Sequence, residues 1–100
     1  MAHFAELDPV TSIVKRVIVV SNEVTYDDEG AEHEDRGIAL CKQLYGDHTD
    51  WVQTSYHGNF RRYFAGTGFS YNREASVFIK PCPPGVGWSL DPITLEWVKQ

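Results

Sequence analysis

Large apolar side chains alternate with polar ones over short runs along most of this chain, and glycine and proline punctuate the runs. His3–Leu7 and Ile13–Val20 are two such runs, separated by Asp8-Pro9-Val10-Thr11-Ser12. Aspartate followed by proline favours a turn, and a loop of this length is ordinary for a hairpin, so two antiparallel strands are predicted. In the second run Val14, Arg16, Ile18 and Val20 share one face, with Ile13, Lys15, Val17 and Val19 on the other. Both faces are apolar beyond Arg16, which predicts a central strand covered on both sides at its C-terminal end.

The period changes once. Over Glu32–Tyr45 the apolar residues Ile38, Cys41, Leu44 and Tyr45 recur at helical spacing, leaving Arg36, Lys42 and Gln43 outward. Glu32, Glu34 and Asp35 fall where acids favour the helix dipole, and Gly46 follows as a C-terminal cap. Gly37 weakens this helix by ~1 kcal/mol and marks a close approach to the sheet. The stripe of Ile38, Cys41 and Leu44 is expected to pack on the sheet, against Val17 and Val19 or against Ile18 and Val20.

From Trp51 the period returns to two. Trp51–Tyr56 and Phe60–Phe64 flank His57-Gly58-Asn59, and Phe69–Tyr71 and Val77–Lys80 flank Asn72–Ser76. Trp88–Leu90 and Leu95–Val98 flank Asp91-Pro92-Ile93-Thr94. Pro81–Gly87, rich in proline and glycine, reads as an extended connector. The fold class expected is α+β: a small antiparallel β-sheet built from hairpins, with one packed α-helix, in a single domain over residues 1–100.

A chain of 100 residues with 42% apolar and 13% aromatic side chains is globular. Its core is necessarily thin, which leaves room for a homo-oligomer or a partner surface to complete it. The net charge of −5 argues against nucleic acid and anionic membranes as partners. That charge is uneven: residues 21–50 hold nine acids against Arg36 and Lys42, whereas residues 51–80 hold Arg61, Arg62, Arg73 and Lys80 against Glu74. Such a dipolar molecule can dock in a preferred orientation. No apolar run reaches transmembrane length. The start Met-Ala-His-Phe-Ala-Glu lacks the basic and apolar regions of a secretory signal. Cys41 and Cys82 belong to no Cys-x-x-Cys pair or zinc-spaced cluster, so two free thiols and folding in a reducing compartment are expected.

Candidate chemistry is sparse. His3, His33, His48 and His57 fall in separate segments, with no spacing that would share a metal. In the acidic stretch Ser21–Glu34, taking Gly30 as the turn glycine of a calcium loop makes Thr25 the first ligand and Arg36 the last, which cannot serve, so a solvated loop is expected. Gly66-Thr67-Gly68 precedes a strand rather than the helix that a phosphate cradle requires. Asp47-His48-Thr49-Asp50 reads as a polar loop. No enzyme site, cofactor or metal site is expected. The remaining polar feature is Arg61-Arg62 between Phe60 and Tyr63, facing Tyr56 on the strand predicted to pair with it. Arginine among aromatics suits single-stranded nucleic acid, a protein interface or a salt bridge to the acidic helix. Tyr56, Phe60, Arg61, Arg62 and Tyr63 are therefore the candidate protein-interface residues.

Several blocks also carry a resemblance: Met-Ala-His-Phe-Ala-Glu-Leu-Asp at the start, Val17-Ile-Val-Val, Gly37-Ile-Ala-Leu-Cys, Trp51-Val-Gln-Thr-Ser-Tyr and Tyr63-Phe-Ala-Gly-Thr-Gly-Phe-Ser-Tyr. Together, and with Val77-Phe-Ile-Lys-Pro and Trp88-Ser-Leu, they resemble small structural proteins of tailed phages of marine and freshwater bacteria, cyanophages especially. Members usually end in a richer proline segment, whereas this chain ends at Lys99-Gln100. The resemblance implies a virion protein made in the bacterial host cytoplasm, with other virion proteins (coat or tail subunits) as partners, and supplies no catalytic residue. The expected role is capsid decoration or cement on coat subunits. The alternatives are a tail or tail-fibre accessory protein, or a non-virion phage protein that binds a host protein through residues 23–35.

Overall fold

In the computed structural model, which describes residues 1–100, β1 (Ala2–Leu7) and β2 (Val14–Val20) form the predicted antiparallel hairpin. Its turn is built by Asp8, whose Oδ1 accepts from the Val10 N–H at 2.8 Å and the Thr11 N–H at 3.0 Å. The last hairpin uses the same device. Asp91 of Asp91-Pro92-Ile93-Thr94 accepts from the Ile93 N–H at 2.8 Å and the Thr94 N–H at 3.0 Å. Each loop then closes through a left-handed residue, Ser12 at φ 61° and Leu95 at φ 57°. Two copies of one short sequence thus make one turn, because the aspartate carboxylate satisfies the amides that the proline-led bend exposes.

The remaining elements are the one-turn helix α1 (Asn22–Thr25), α2 (Glu34–Tyr45), β3 (Asp50–Thr54), β4 (Ser70–Asn72), β5 (Val77–Ile79), β6 (Trp88–Leu90) and β7 (Trp97–Lys99). They make an α+β fold of three antiparallel sheets, ordered β2-β1-β3, β4-β5 and β6-β7. The main sheet corrects the expected strand order: β1 is central and β2 lies at an edge. The reason is in β1 itself, whose Ala2, Phe4 and Glu6 are buried on one face and Ala5 and Leu7 on the other. Small alanines on both faces let layers close over both sides of this strand.

A bulge corrects the expected faces of β2. Glu6 pairs with Arg16 but Leu7 pairs with Val14, so Lys15 is an extra residue. Val14 consequently joins Val17, Ala5 and Leu7 in one core, together with Val52, Ala65, Tyr71 and Phe78. Ile18 and Val20 face the other core, with Ala2, Phe4, Cys41 and Trp51. Helix α2 covers this second side, and the β4–β5 hairpin contributes Tyr71 and Phe78 to the first.

Helix α2 meets the sheet through Gly37 and Cys41, both buried, flanked by Ile38 and Leu40. A Cβ at Gly37 would run into the ring of Phe4, so the expected close approach is there. That contact line also corrects the stripe: Leu44 is 64% exposed, because the helix rests on its glycine and Leu44 is turned away. The helix starts after His33 and ends at Gly46, whose N–H bonds the Lys42 carbonyl at 2.7 Å. Part of the predicted acidic loop is ordered as α1, with Ser21 Oγ accepting from the Glu23 N–H. Beyond it Asp27 accepts from the Glu29 and Ala31 amides and from His33. The histidine contact first, then the Ala31 amide, takes the Asp27 carboxyl down to about 2.

The two cysteines stay apart and free, Cys41 buried and Cys82 exposed. Burial, aided by the Glu6 charge, pushes the Cys41 thiol up to about 11. No helix is long and apolar enough to cross a membrane.

Candidate functional site

The segment after β3 departs most from the pattern-based expectation. Phe60–Phe64 forms no strand and does not pair with β3. Instead Gly58 N–H and Asn59 N–H bond the Ser55 carbonyl and hydroxyl, reversing the chain. Arg61 and Arg62 then take left-handed conformations at φ 56° and 76°. Such conformations cost roughly 1–2 kcal/mol for each non-glycine residue. The bonds they permit offset that cost: the Arg61 carbonyl accepts from both Tyr63 N–H and Phe78 N–H at 3.0 Å, stitching the loop to β5.

Consecutive left-handed residues send the five candidate side chains in different directions. Arg61 turns to the helix, where its guanidinium holds Glu34 through two bonds of 2.6 and 3.0 Å and donates to the Gln53 carbonyl at 2.8 Å. Glu34 Oε2 accepts in turn from the Gln53 N–H at 2.7 Å. Burial alone would raise the Glu34 carboxyl, but the Arg61 and Gln53 bonds outweigh it and hold the pKa below its ordinary value. Arg62 points the other way, donating to the carbonyls of Thr94 at 2.8 Å and Leu95 at 3.3 Å. Tyr63 packs beside the first core, edge-on to Phe69, with the Lys80 ammonium 4.8 Å above its ring. Arg61 is thus the tie to the acidic helix, one of the readings its sequence context left open, and Arg62 anchors the last hairpin.

Tyr56 and Phe60 remain outward, 62% and 41% exposed. Tyr56 belongs to a cluster that the residue pattern did not assemble. Its ring lies 5.3 Å from His3 and 5.1 Å from Phe64, and His3 and Phe64 are 5.3 Å apart, centroid to centroid. The β1–β3 register creates this grouping by setting His3 opposite Thr54, two residues before Tyr56. On the other flank His3 sits opposite Val19, which is 52% exposed. Burial and then the nearby N-terminal ammonium lower the His3 pKa, keeping the ring uncharged at neutral pH. Beside the cluster, Tyr56, His57 and Phe60 face Tyr26 and Glu32 across a depression of about 240 Å³. The whole is an aromatic end to the sheet face opposite α2.

A second hollow, of about 330 Å³, separates the β6–β7 hairpin from the body and is lined by Tyr63, Lys80, Trp88 and Trp97. Both indole N–H groups are spent internally, Trp97 on the Lys80 carbonyl and Trp88 on the Pro84 carbonyl. No three His, Cys, Asp or Glu side chains converge as a metal site would need.

No local signal marks His3 for this cluster, because it reaches Tyr56 only through the β1–β3 register. No family model matches the chain, and neither the curated proteins nor the solved structures contain a match to it.

Proposed function

We propose that this chain is a virion structural protein that docks on coat subunits through its aromatic end and performs no chemistry. The observation that carries the reading is the His3–Tyr56–Phe64 cluster, whose rings have one another as partners and whose outer surfaces face solvent. Tyrosine and phenylalanine in one rigid patch bury large area with little side-chain entropy to lose, as interface anchors do. The uncharged His3 adds a polar handle without a desolvated charge.

Both arginines of the earlier candidate set are committed to internal acceptors, which supports a protein partner over nucleic acid. The coat as the particular partner is supported by the phage resemblance of the sequence. Quantitative mass spectrometry of purified particles of the encoding phage tests it. A fixed copy number on the scale of the coat lattice is expected; a few copies per particle would assign the chain to the tail. Absence from the particle would overturn the virion role and turn attention to a host protein as partner.

A further inference from the structure

The main sheet treats its two edges differently. The outer edge of β3 is closed at Gln53, whose N–H and carbonyl are taken by Glu34 and Arg61. The outer edge of β2 is closed only at its start, where Val14 N–H bonds the Phe69 carbonyl at 2.7 Å and Gly68 N–H bonds the Val14 carbonyl at 3.1 Å. From Arg16 to Val20 no backbone bond joins that edge to anything outside the β1–β2 ladder. The bare stretch is Val17-Ile18-Val19-Val20, all β-branched, with Val19 52% exposed. Proteins ordinarily guard such an edge with lysine or arginine. Here both basic residues at the edge lean onto the buried Glu6, Arg16 with its Nε at 2.9 Å and its guanidinium 4.9 Å above the Tyr45 ring, and Lys15 with its Nζ at 3.7 Å.

We propose that this open edge pairs antiparallel with the same edge of a second copy of the chain, joining two three-stranded sheets into one of six strands. A row of unpaired amides and carbonyls is complementary to another strand, and the charges select which one. Lys15 stands at the entry to the strand and Glu23 just past its exit. Antiparallel pairing about Ile18 sets each Lys15 opposite Ser21 of the other copy, two residues short of its Glu23 in α1, whereas parallel pairing stacks like charges. Pairing about Ile18 places Val17 of each copy opposite Val19 of the other, so the half-buried Val17 of one copy covers the exposed Val19 of the other. Two-fold pairing of this kind keeps equivalent faces on the same side, so both helices lie on one side and both aromatic ends on the other. The dimer then offers two docking ends to one surface, which raises avidity without any new contact type.

The bare edge is short, so its burial falls below the ~1,000 Å² of a tight interface and the measurement belongs at high concentration. Sedimentation equilibrium of the full chain from about 10 µM to about 1 mM is expected to show the mass rising from 11.4 kDa towards twice that value. Val19→Lys and Val19→Glu test the register, because the two copies' residues 19 sit on a diagonal ~7–8 Å apart. Each variant alone is expected to stay monomeric with unchanged circular dichroism, and an equimolar mixture to dimerise. A wild-type chain monomeric throughout overturns the proposal. A dimer indifferent to charge at Val19 places the interface elsewhere and overturns it too. Two monomeric variants whose mixture also stays monomeric overturn the pairing about Ile18.

Discussion

Glu34 and Arg61 stand in for a missing strand: one takes the N–H of Gln53 and the other its carbonyl, while they hold each other through two further bonds. A sheet edge that would otherwise expose a donor and an acceptor is thereby closed from the helix side. The residue pattern leaves Arg61 open between an interface group and a salt bridge to the acidic helix. Its guanidinium is a joint between α2, β3 and the loop that carries Phe60 and Tyr63. Charge reversal there would set a second carboxylate against Glu34 and damage the fold, so it cannot report on binding.

Arg61→Ala removes three charge-assisted bonds from a partly buried site and is expected to destabilise the chain by about 2 kcal/mol. Urea denaturation at neutral pH checks this. The pH dependence follows from Glu34, whose folded pKa lies below the ordinary value of 4.5. Between those two values the unfolded chain binds more protons, so the Glu34 contribution is complete above the ordinary value and is lost as pH falls through the folded one. The stability difference between wild type and Glu34→Gln should therefore shrink as pH drops below 4.5. A difference that stays constant with pH would contradict the assigned bonds.

Gly37→Ala puts a methyl group into the ring of Phe4, which is fully buried. Overpacking of a core costs about 1–3 kcal/mol, against about 1 kcal/mol gained in helix propensity. A net loss of stability is expected, visible as a lower urea midpoint with an unchanged slope. Phe4→Leu in the same background makes room, so the double variant should be more stable than the sum of the two single changes. A stabilised Gly37→Ala would mean that α2 does not rest on the sheet at this point.

Local chemistry was readable from the residues, and long-range register was not. The two Asp-Pro turns, the helix with its Gly46 terminus and the close approach at Gly37 each follow from a few neighbouring residues, and the structure has them. Alternation put Phe60–Phe64 in a strand because it cannot register that Arg61 and Arg62 turn left-handed. It made β2 central because apolarity on two faces does not distinguish a covered strand from an edge strand with an exposed Val19. Leu44 fitted the helical period but lost its place when the glycine contact fixed the helix rotation. At the site, the aromatic and arginine content of the segment points to Tyr56 and Phe60. His3 joins Tyr56 only through pairing between β1 and β3, and Phe64 joins it through the chain reversal at Ser55 that alternation does not register.

The cysteines should react very unequally. Cys82 is exposed on the proline-rich connector, whereas Cys41 is fully buried with its thiol raised to about 11. Thiolate is the reactive form, so both access and ionisation protect Cys41. Alkylation of the native chain without reductant is expected to modify one thiol rapidly, mapped by peptide mass spectrometry to Cys82, and the second only in denaturant. Two fast thiols would mean that α2 is not seated on the sheet; no fast thiol would mean that Cys82 is blocked.

The docking end is tested by Tyr56→Ser with Phe64→Ser. Neither side chain belongs to the two core clusters, at 62% and 37% exposure, so the double variant should stay folded, with its stability from urea denaturation within about 1 kcal/mol of wild type. Anchor residues at an interface contribute about 2 kcal/mol or more each, which makes the expected loss of particle affinity close to a thousandfold for the pair. Re-addition of purified protein to particles stripped of it, followed by quantitation of the bound fraction, reads that loss directly. Arg62→Ala serves as the contrast. It releases the Thr94 and Leu95 carbonyls and loosens the last hairpin, and should leave occupancy unchanged if docking runs through the aromatic end. If the Tyr56/Phe64 variant binds particles as tightly as wild type while Arg62→Ala does not, the contact lies at the hairpin and its tryptophan-lined hollow, and the aromatic end is a packing feature of the sheet.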